Sequence, residues 1–410
     1  MSGWKEYKLF DIASIENKRR IPLNSRQRAG MQGSYPYYGA SGIVDYINDY
    51  IFDSQHVLIS EDGENLRSRQ TQIAFLVDGQ FWVNNHAHIL KGNDELINEF
   101  IAYCFQNLNI NPFITGAVQP KLNLENLLSI PIFMPSREER LELTRLLDSL
   151  DRKISNLRQQ NETLERIAQT LFKHWFVDFE FPNEDGKPYR LSGGEMVRSD
   201  LGKIPAGWRV GKLKDFCDVR HGYAFKGEFI TTEETDQILL TPRNFRIGGG
   251  FNSSKYKYYS NYDYDEEYVL APGDLIVTMT DLSKEGDTLG YPAFVPKYSE
   301  NAFLHNQRLG KIVDSQIDLF FLFFLLCQRE YRSHILGTAS GSTVRHTSPS
   351  RILDYKFAVP GRELLERFSL ITSNLICKSF SNHEQIQTLT KTRDRLLPKL
   401  MSGQLRITES

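Results

Sequence analysis

Two long stretches of the chain carry the same kind of apolar pattern. In the first, Leu143, Leu147, Leu150, Ile154, Leu157, Asn161, Leu164, Ala168, Leu171 and Trp175 recur at alternating three- and four-residue steps. That spacing is a heptad stripe, narrower than the apolar face of an ordinary globular helix, and it predicts one helix of ~40 residues and ~60 Å. Ser136-Arg137-Glu138-Glu139 precedes it and reads as a capping box, the Ser136 hydroxyl accepting from the Glu139 N–H and the Glu139 carboxylate reaching back. A stripe this long needs a long partner. The second stretch, Phe368, Thr372, Leu375, Ser379, Asn382, Ile386, Leu389, Arg393 and Leu396, supplies one, although it is more polar, and Pro398 is expected to bend or end the helix. Antiparallel alignment with Asn161 opposite Asn382 makes most layers apolar and gives each amide a polar neighbour, sparing about 1–3 kcal/mol of unsatisfied hydrogen bonding.

The remainder is strand-rich with isolated helical blocks. "HVLISEDG" at 56–63 and "YVLAPGDLIVTMT" at 268–280 predict short strands broken by turns, while "ELINEFIAYCFQNL" at 95–108 and "IDLFFLFFLLCQREYRSHIL" at 317–336 predict one buried helix each. Each half is thus an α+β globule followed by a long helix. The implied divisions are 1–135 (first globule), 136–181 (central helix), 182–206 (a polar, Gly- and Pro-rich linker), 207–360 (second globule) and 361–410 (C-terminal helix).

The halves are related copies. "GWKEYKLFDI" at 3–12 and "GWRVGKLKDF" at 207–216 match at a constant offset (Trp4 to Trp208, Lys8 to Lys212, Asp11 to Asp215). "GAVQPKLNLENLLSIPIFMPSREE" at 116–139 aligns without a gap on "GSTVRHTSPSRILDYKFAVPGREL" at 341–364, at a larger offset, so the second copy holds more residues. Between these edges little is shared beyond "VNNHAHIL" (83–90) facing "FLHNQRLGKI" (303–312). Matched edges with unlike middles suggest one scaffold carrying two different readers.

Composition narrows the setting. A chain of 410 residues exceeds what one core usually holds, which agrees with two domains. The longest apolar run, "LFFLFFLLC" at 319–327, is too short to span a bilayer, and a cytoplasmic protein with no membrane partner is expected. Cys104, Cys217, Cys327 and Cys377 form no paired motif and read as buried, inert thiols. A net charge of −2 leaves room only for a local polyanion-binding patch.

No catalytic constellation emerges. The chain lacks GxxxxGK[ST], GxGxxG after a strand, HExxH and an Asn-Pro-Pro-aromatic motif. His86 and His88 share a strand face but have no acidic or cysteine partner nearby in sequence, so no metal is expected, and "GGGF" at 248–251 reads as a loop. Polar and basic loops of the divergent middles are the better signal for DNA contact. In the first half they offer Lys18, Arg19, Arg20, Arg26, Arg28, Arg67, Arg69 and Gln70. The second offers Arg220, His221, Lys226, Arg243, Asn244, Arg246, Lys255, Lys257, Lys284, Asn306 and Arg308. Arg and Lys suit guanine edges or phosphates, Asn and Gln suit adenine. In "LFKHWFVDFEFP" (171–182), Phe172, Trp175, Phe176 and Phe179 either staple the helix to its globule or form a docking face for another subunit.

In this order, "GWKEYKLFDI", "LNLENLLSIPIFMPSREER", "LFKHWFVDFEFP", "LGKIPAGWRVGKLKDF" and "RDRLLPKLMSGQLRI" make the chain resemble, over essentially its full length, the specificity subunit of a type I restriction-modification system. The resemblance implies two target-recognition globules related by an internal pseudo-dyad and separated by two antiparallel coiled-coil helices. Each globule would read one half of a split double-stranded DNA target, the helices fixing the gap. Two modification subunits would dock on the helices and methylate adenine with S-adenosylmethionine, and restriction subunits would add ATP- and Mg-dependent translocation and cleavage. The chain itself would be non-catalytic and hold no cofactor. Two other readings stay open: a single-chain nuclease or methyltransferase with unrecognised catalytic groups, and a coiled-coil scaffold without DNA preference.

Overall fold

A computed structural model describes residues 4–254, 256–296 and 301–407. The chain forms two compact units, 1–155 with 387–410 and 156–386. The division falls inside both long helices, the central helix Arg137–Phe172 and the terminal helix Arg362–Met401.

The strands of the first unit are β1 (Lys5–Lys8), β2 (Ala13–Ile15), β3 (Gln32–Gly39), β4 (Gly42–Ile47), β5 (Phe52–Asp53), β6 (His56–Ser60), β7 (Ala74–Val77), β8 (Gln80–Val83), β9 (Ala87–Gly92) and β10 (Pro131–Met134). They make a sheet ordered β2-β9-β6-β7, a second ordered β4-β3-β8-β5, and an antiparallel β1–β10 pair. The helix Glu95–Asn107 covers the first sheet: Asp94 caps it by accepting from the Ile97 N–H at 2.8 Å, and Ile97, Phe100, Ile101 and Phe105 repeat at helical spacing toward Val57, Ile59 and Leu90. Leu143 and Leu147 of the central helix and Leu397 and Leu400 of the terminal helix complete this core.

The second unit carries a hairpin of β11 (Met196–Ser199) and β12 (Gly202–Pro205), then β13 (Arg209–Lys212), β14 (Asp218–His221), β15 (Ile230–Thr231), β16 (Gln237–Leu239), β17 (Lys257–Tyr259), β18 (Val269–Leu270), β19 (Leu275–Thr278), β20 (Thr280–Asp281), β21 (Pro292–Phe294), β22 (Ala302–Leu304), β23 (Leu309–Val313), β24 (Arg345–His346) and β25 (Lys356–Val359). Besides the β11–β12 hairpin and a β20–β24 pair, its sheets repeat those of the first unit. The order β14-β23-β19-β21 reproduces β2-β9-β6-β7, and β17-β16-β22-β18 reproduces β4-β3-β8-β5, with β15 added at one edge. Even the parallel neighbours correspond, β16 with β22 and β3 with β8, and β13–β25 reproduces β1–β10.

The heptad positions are buried or half-buried along both helices. In the second unit the helix segments run in opposite directions, with Phe172 beside Phe368 (ring centroids 5.7 Å) and the Asn382 Nδ2 donating to Asn161 Oδ1 at 2.9 Å. In the first unit the Arg393 guanidinium donates to Asp151 at 2.7 Å, which explains a charge on the stripe.

Several expectations are corrected. Ser136 caps the central helix by accepting from the Glu139 N–H at 3.2 Å, but the Glu139 carboxylate is taken by Arg406 (2.6 Å), whose hydrogen bond and charge hold it below its ordinary pKa. The apolar block at 317–336 is two helices, Leu319–Leu326 and Arg329–Thr338, because extended backbone at Gln328 breaks a first half buried from Phe321 to Leu326 from an amphipathic second. Pro398 lies within the terminal helix, close enough to its end that the missing N–H costs one turn while Leu397 and Leu400 hold that turn in the core. Segment 182–206 is not slack: besides its hairpin, Tyr189 stacks on Phe181 at 4.5 Å. Cys104 and Cys217 are buried, with burial raising both thiols (Cys217 to about 12), whereas Cys327 is half-buried and Cys377 exposed.

Candidate nucleic-acid interface

In the second unit the edge strand β14 turns Val219 inward and leaves Arg220 and His221 exposed. Gly222 follows, and a Cβ there would lie 2.3 Å from the backbone oxygens of His305 and Asn306, so glycine alone lets this segment close on the turn 305–308. The turn is pinned throughout. Tyr223 N–H donates to His305 O (2.8 Å), Gln307 N–H to Tyr223 O (2.9 Å), Met279 N–H to Arg308 O (2.8 Å), and the Asn306 side chain accepts from the Arg308 N–H (3.0 Å). His305 beneath it is wholly buried, with Nε2 3.0 Å from Leu309 O. Burial pulls its pKa down to about 4, so the imidazole is neutral.

The same corner gathers further basic groups. Thr280 and Asp281 pair with His346 and Arg345, Thr347 N–H donates to Met279 O (2.9 Å), and Arg345 Nε donates to Lys284 O (3.2 Å). Burial alone would raise the Asp281 pKa, but bonds from Thr288 and Ser283 outweigh it, and these bonds fold the Lys284 loop. Arg345 and His346 were not among the sequence candidates, and Gln307 entered only within the run "HNQR" at 305–308. Pairing in register with β20 was the signal for the first two, and it requires the fold.

The first unit builds the same corner with other side chains. The Asn84 side chain accepts from the His86 N–H at 2.8 Å, as Asn306 does for Arg308, and Glu61 N–H donates to His86 O at 2.9 Å, as Met279 does to Arg308 O. Gly116 (φ +83) and Gly341 (φ +90) make equivalent turns in which a Cβ would strike the carbonyls of Gln119 and Val344. His86 and His88 separate: His86 is exposed and bonded to Asp62 at 2.8 Å, and His88 is buried with Nε2 2.7 Å from Leu122 O, burial lowering its pKa. Among the described residues no group of three or more His, Cys, Asp or Glu stands in metal-ligating geometry.

The sequence candidates divide by what holds them. Arg20 is committed to Glu61 (2.6 Å) and Ala87 O (2.8 Å), and Arg28 to Asp45 (3.0 Å). Arg67 donates to Gly116 O (2.8 Å), and Arg69 closes the helix Glu95–Asn107 by donating to Phe105 O (2.8 Å) and Leu108 O (2.7 Å). Arg19 bonds Ile51 O (2.9 Å) over the Phe52 ring. Lys18, Arg26 and Gln70 are exposed without such ties. In the second unit Arg246 reaches Glu165 (2.5 Å) beside the Gly248–Gly250 loop, whose three positive φ angles make it a turn. Asn244 is wholly buried, accepting from the Thr241 N–H at 2.9 Å, and cannot reach a base edge. Asn306 is likewise spent on its turn. Arg220, His221, Lys226, Arg243, Lys257, Lys284 and Arg308 are exposed, and Lys255 lies outside the described residues.

Three of the four aromatic docking candidates are corrected. Phe172, Trp175 and Phe176 are core residues of the second unit, packed on Phe321, Phe324 and Phe368, so they staple the helix end to its globule. A π-turn at Lys173–Val177 ends the helix, and Phe179 is half-buried, edge-on to Trp208 at 5.5 Å. No helix among the described residues is long and apolar enough to cross a membrane.

Comparison with known proteins agrees with this duplicated architecture. The type I restriction modification DNA specificity domain model matches residues 1–166 and again 205–392, and the chain belongs to that family. It is 28% identical over 330 residues to the type I restriction enzyme MjaIX specificity subunit of Methanocaldococcus jannaschii, covering 77% of this chain and 71% of that protein. It is 38% identical over 148 residues to the putative type I restriction enzyme specificity subunit S.HindORF215P of Haemophilus influenzae, covering 36% and 37%. The crystal structure of the type I restriction-modification S subunit from M. genitalium superposes with a TM-score of 0.60 at 13% identity, covering 99% of this chain and 97% of that one, which shows a shared fold.

Proposed function

We propose that this chain is the DNA-reading subunit of a type I restriction-modification assembly, each unit contacting one half of a bipartite double-stranded target. The observation that carries this is the repetition of strand order and of the pinned corner turn in both units while the exposed side chains differ. Shared scaffolding with changed edges is what an asymmetric split target demands. Exposed Arg220, His221, Lys226, Lys284 and Arg308 in one unit, and Lys18, Arg26 and Gln70 in the other, supply phosphate and base contacts. Family membership and relatives named as specificity subunits support the same reading over a scaffold or a single-chain enzyme.

The two long helices act, in this reading, as an antiparallel coiled-coil spacer about an internal pseudo-dyad, and two modification subunits dock on their exposed faces. The chain is non-catalytic and cytoplasmic. S-adenosylmethionine belongs to the modification subunits, and ATP and Mg to the restriction subunits. Methylome sequencing of a host expressing this chain with its modification partner tests the proposal. A single bipartite methylated motif is expected, and its absence, or methylation by this chain alone, overturns it.

A further inference from the structure

We infer that the two corner turns are equivalent base-reading heads, Gln307 and Arg308 reading adjacent base pairs in one half-site and Asn85 and His86 in the other; this rests on the DNA-reading function proposed above. The turns occupy the same topological position, between β8 and β9 in the first unit and between β22 and β23 in the second. Each begins with an asparagine whose side chain accepts from the N–H two residues on, Asn84 from His86 at 2.8 Å and Asn306 from Arg308 at 3.0 Å. In each, the last residue's carbonyl is tied to the neighbouring strand end, through Glu61 N–H or Met279 N–H. The backbone is therefore fixed in both units while the two residues after each asparagine are exposed.

Chemistry distinguishes them from ordinary surface loops. Gln and Arg both make bidentate contacts with purine edges, Gln with adenine and Arg with guanine, and a fixed backbone avoids the ordering cost that a mobile loop incurs on binding. In the first unit Asn85 offers the same amide on a shorter stem, and the Asp62 carboxylate 2.8 Å from His86 Nδ1 orients that imidazole. Arg220 and His221 are carried to the rim of the second turn by the Gly222 contact, where cations suit flanking phosphates.

The test uses the full chain assembled with its modification subunits and S-adenosylmethionine on a pool of duplexes with randomised half-sites. Gln307→Ala and Arg308→Ala should each relax one base pair of a single half-site, lowering discrimination there roughly 10- to 100-fold. Asn85→Ala with His86→Ala should relax the other half-site instead. Arg308→Lys keeps the charge but loses the bidentate fork, so it should relax the base pair like alanine while restoring overall binding. An unchanged motif in active variants overturns the assignment, as does a uniform loss on all sequences that lysine repairs, which marks a phosphate contact. A wild-type complex that selects no sequence overturns the DNA-reading function and this assignment together.

Discussion

The two units differ in how they hold their basic residues. In the first, Arg20, Arg28, Arg67 and Arg69 are committed to carboxylates or to backbone carbonyls, and of its candidate loop cations only Lys18 and Arg26 are exposed without such ties. In the second, Arg220, Lys226 and Arg308 are exposed, while Arg246 is tied to Glu165, and Arg332 and Arg345 donate to backbone carbonyls of the loop that carries Lys284. One strand order therefore supports two electrostatic surfaces, and a basic residue in a loop carries meaning only once its partner is known.

The largest test of the comparison is exchange. Replacing residues 1–135 by the same part of a relative should change every specified base of one half-site and none of the other, read by methylome sequencing; a change in both halves breaks the one-unit-one-half rule. Next is Phe172→Ala, which empties a position ringed by Phe176, Phe321, Phe324 and Phe368. A loss of about 3–5 kcal/mol is expected in the denaturant transition of the second unit. Lengthening both helices by one heptad, after Leu157 and before Ile386, should add about 10 Å and widen the methylated gap by about 3 bp. A constant gap in an active variant removes the ruler.

Smaller effects sharpen the picture. Asn382→Ala leaves Asn161 without its 2.9 Å partner and should cost about 1–3 kcal/mol in urea unfolding, partly recovered by Asn161→Leu in the same chain. Acid should weaken the second unit through His305. Its folded pKa, about 4, lies below the ordinary 6.5, so the unfolded chain takes up the proton first. The stability it contributes is complete above pH 6.5 and lost as the pH falls toward 4, and His305→Gln should flatten that slope in a urea midpoint series.

Much of the scaffold was legible in the sequence. The heptad positions, the Ser136 cap and the Gly116 and Gly341 blocks are local patterns, and periodicity reports them directly. The site was legible only in part. Arg69 is bound by carbonyls at Phe105 and Leu108, and Asn244 is buried beneath a turn closed by Asn252; such partners are distant or backbone atoms and leave no mark on residue type. The aromatic run at 172–179 had two readings because apolar residues serve cores and interfaces alike, and only the packing on Phe321, Phe324 and Phe368 decided between them for Phe172, Trp175 and Phe176.

Each globule is closed where it is entered. Lys5–Lys8 lies antiparallel to Pro131–Met134, and Arg209–Lys212 to Lys356–Val359, so the first and last strands of each globule are hydrogen-bonded neighbours. A globule built this way is a cassette with both seams on one ladder. Genetic recombination that cuts within those four strands delivers a complete insert with its closing hydrogen bonds already paired, because main-chain bonds are indifferent to which side chains accompany them. The breakpoints of natural hybrids should accordingly fall in these ladders or in the helices beyond them, and a circularly permuted globule with its old ends joined across the ladder by a short turn should fold.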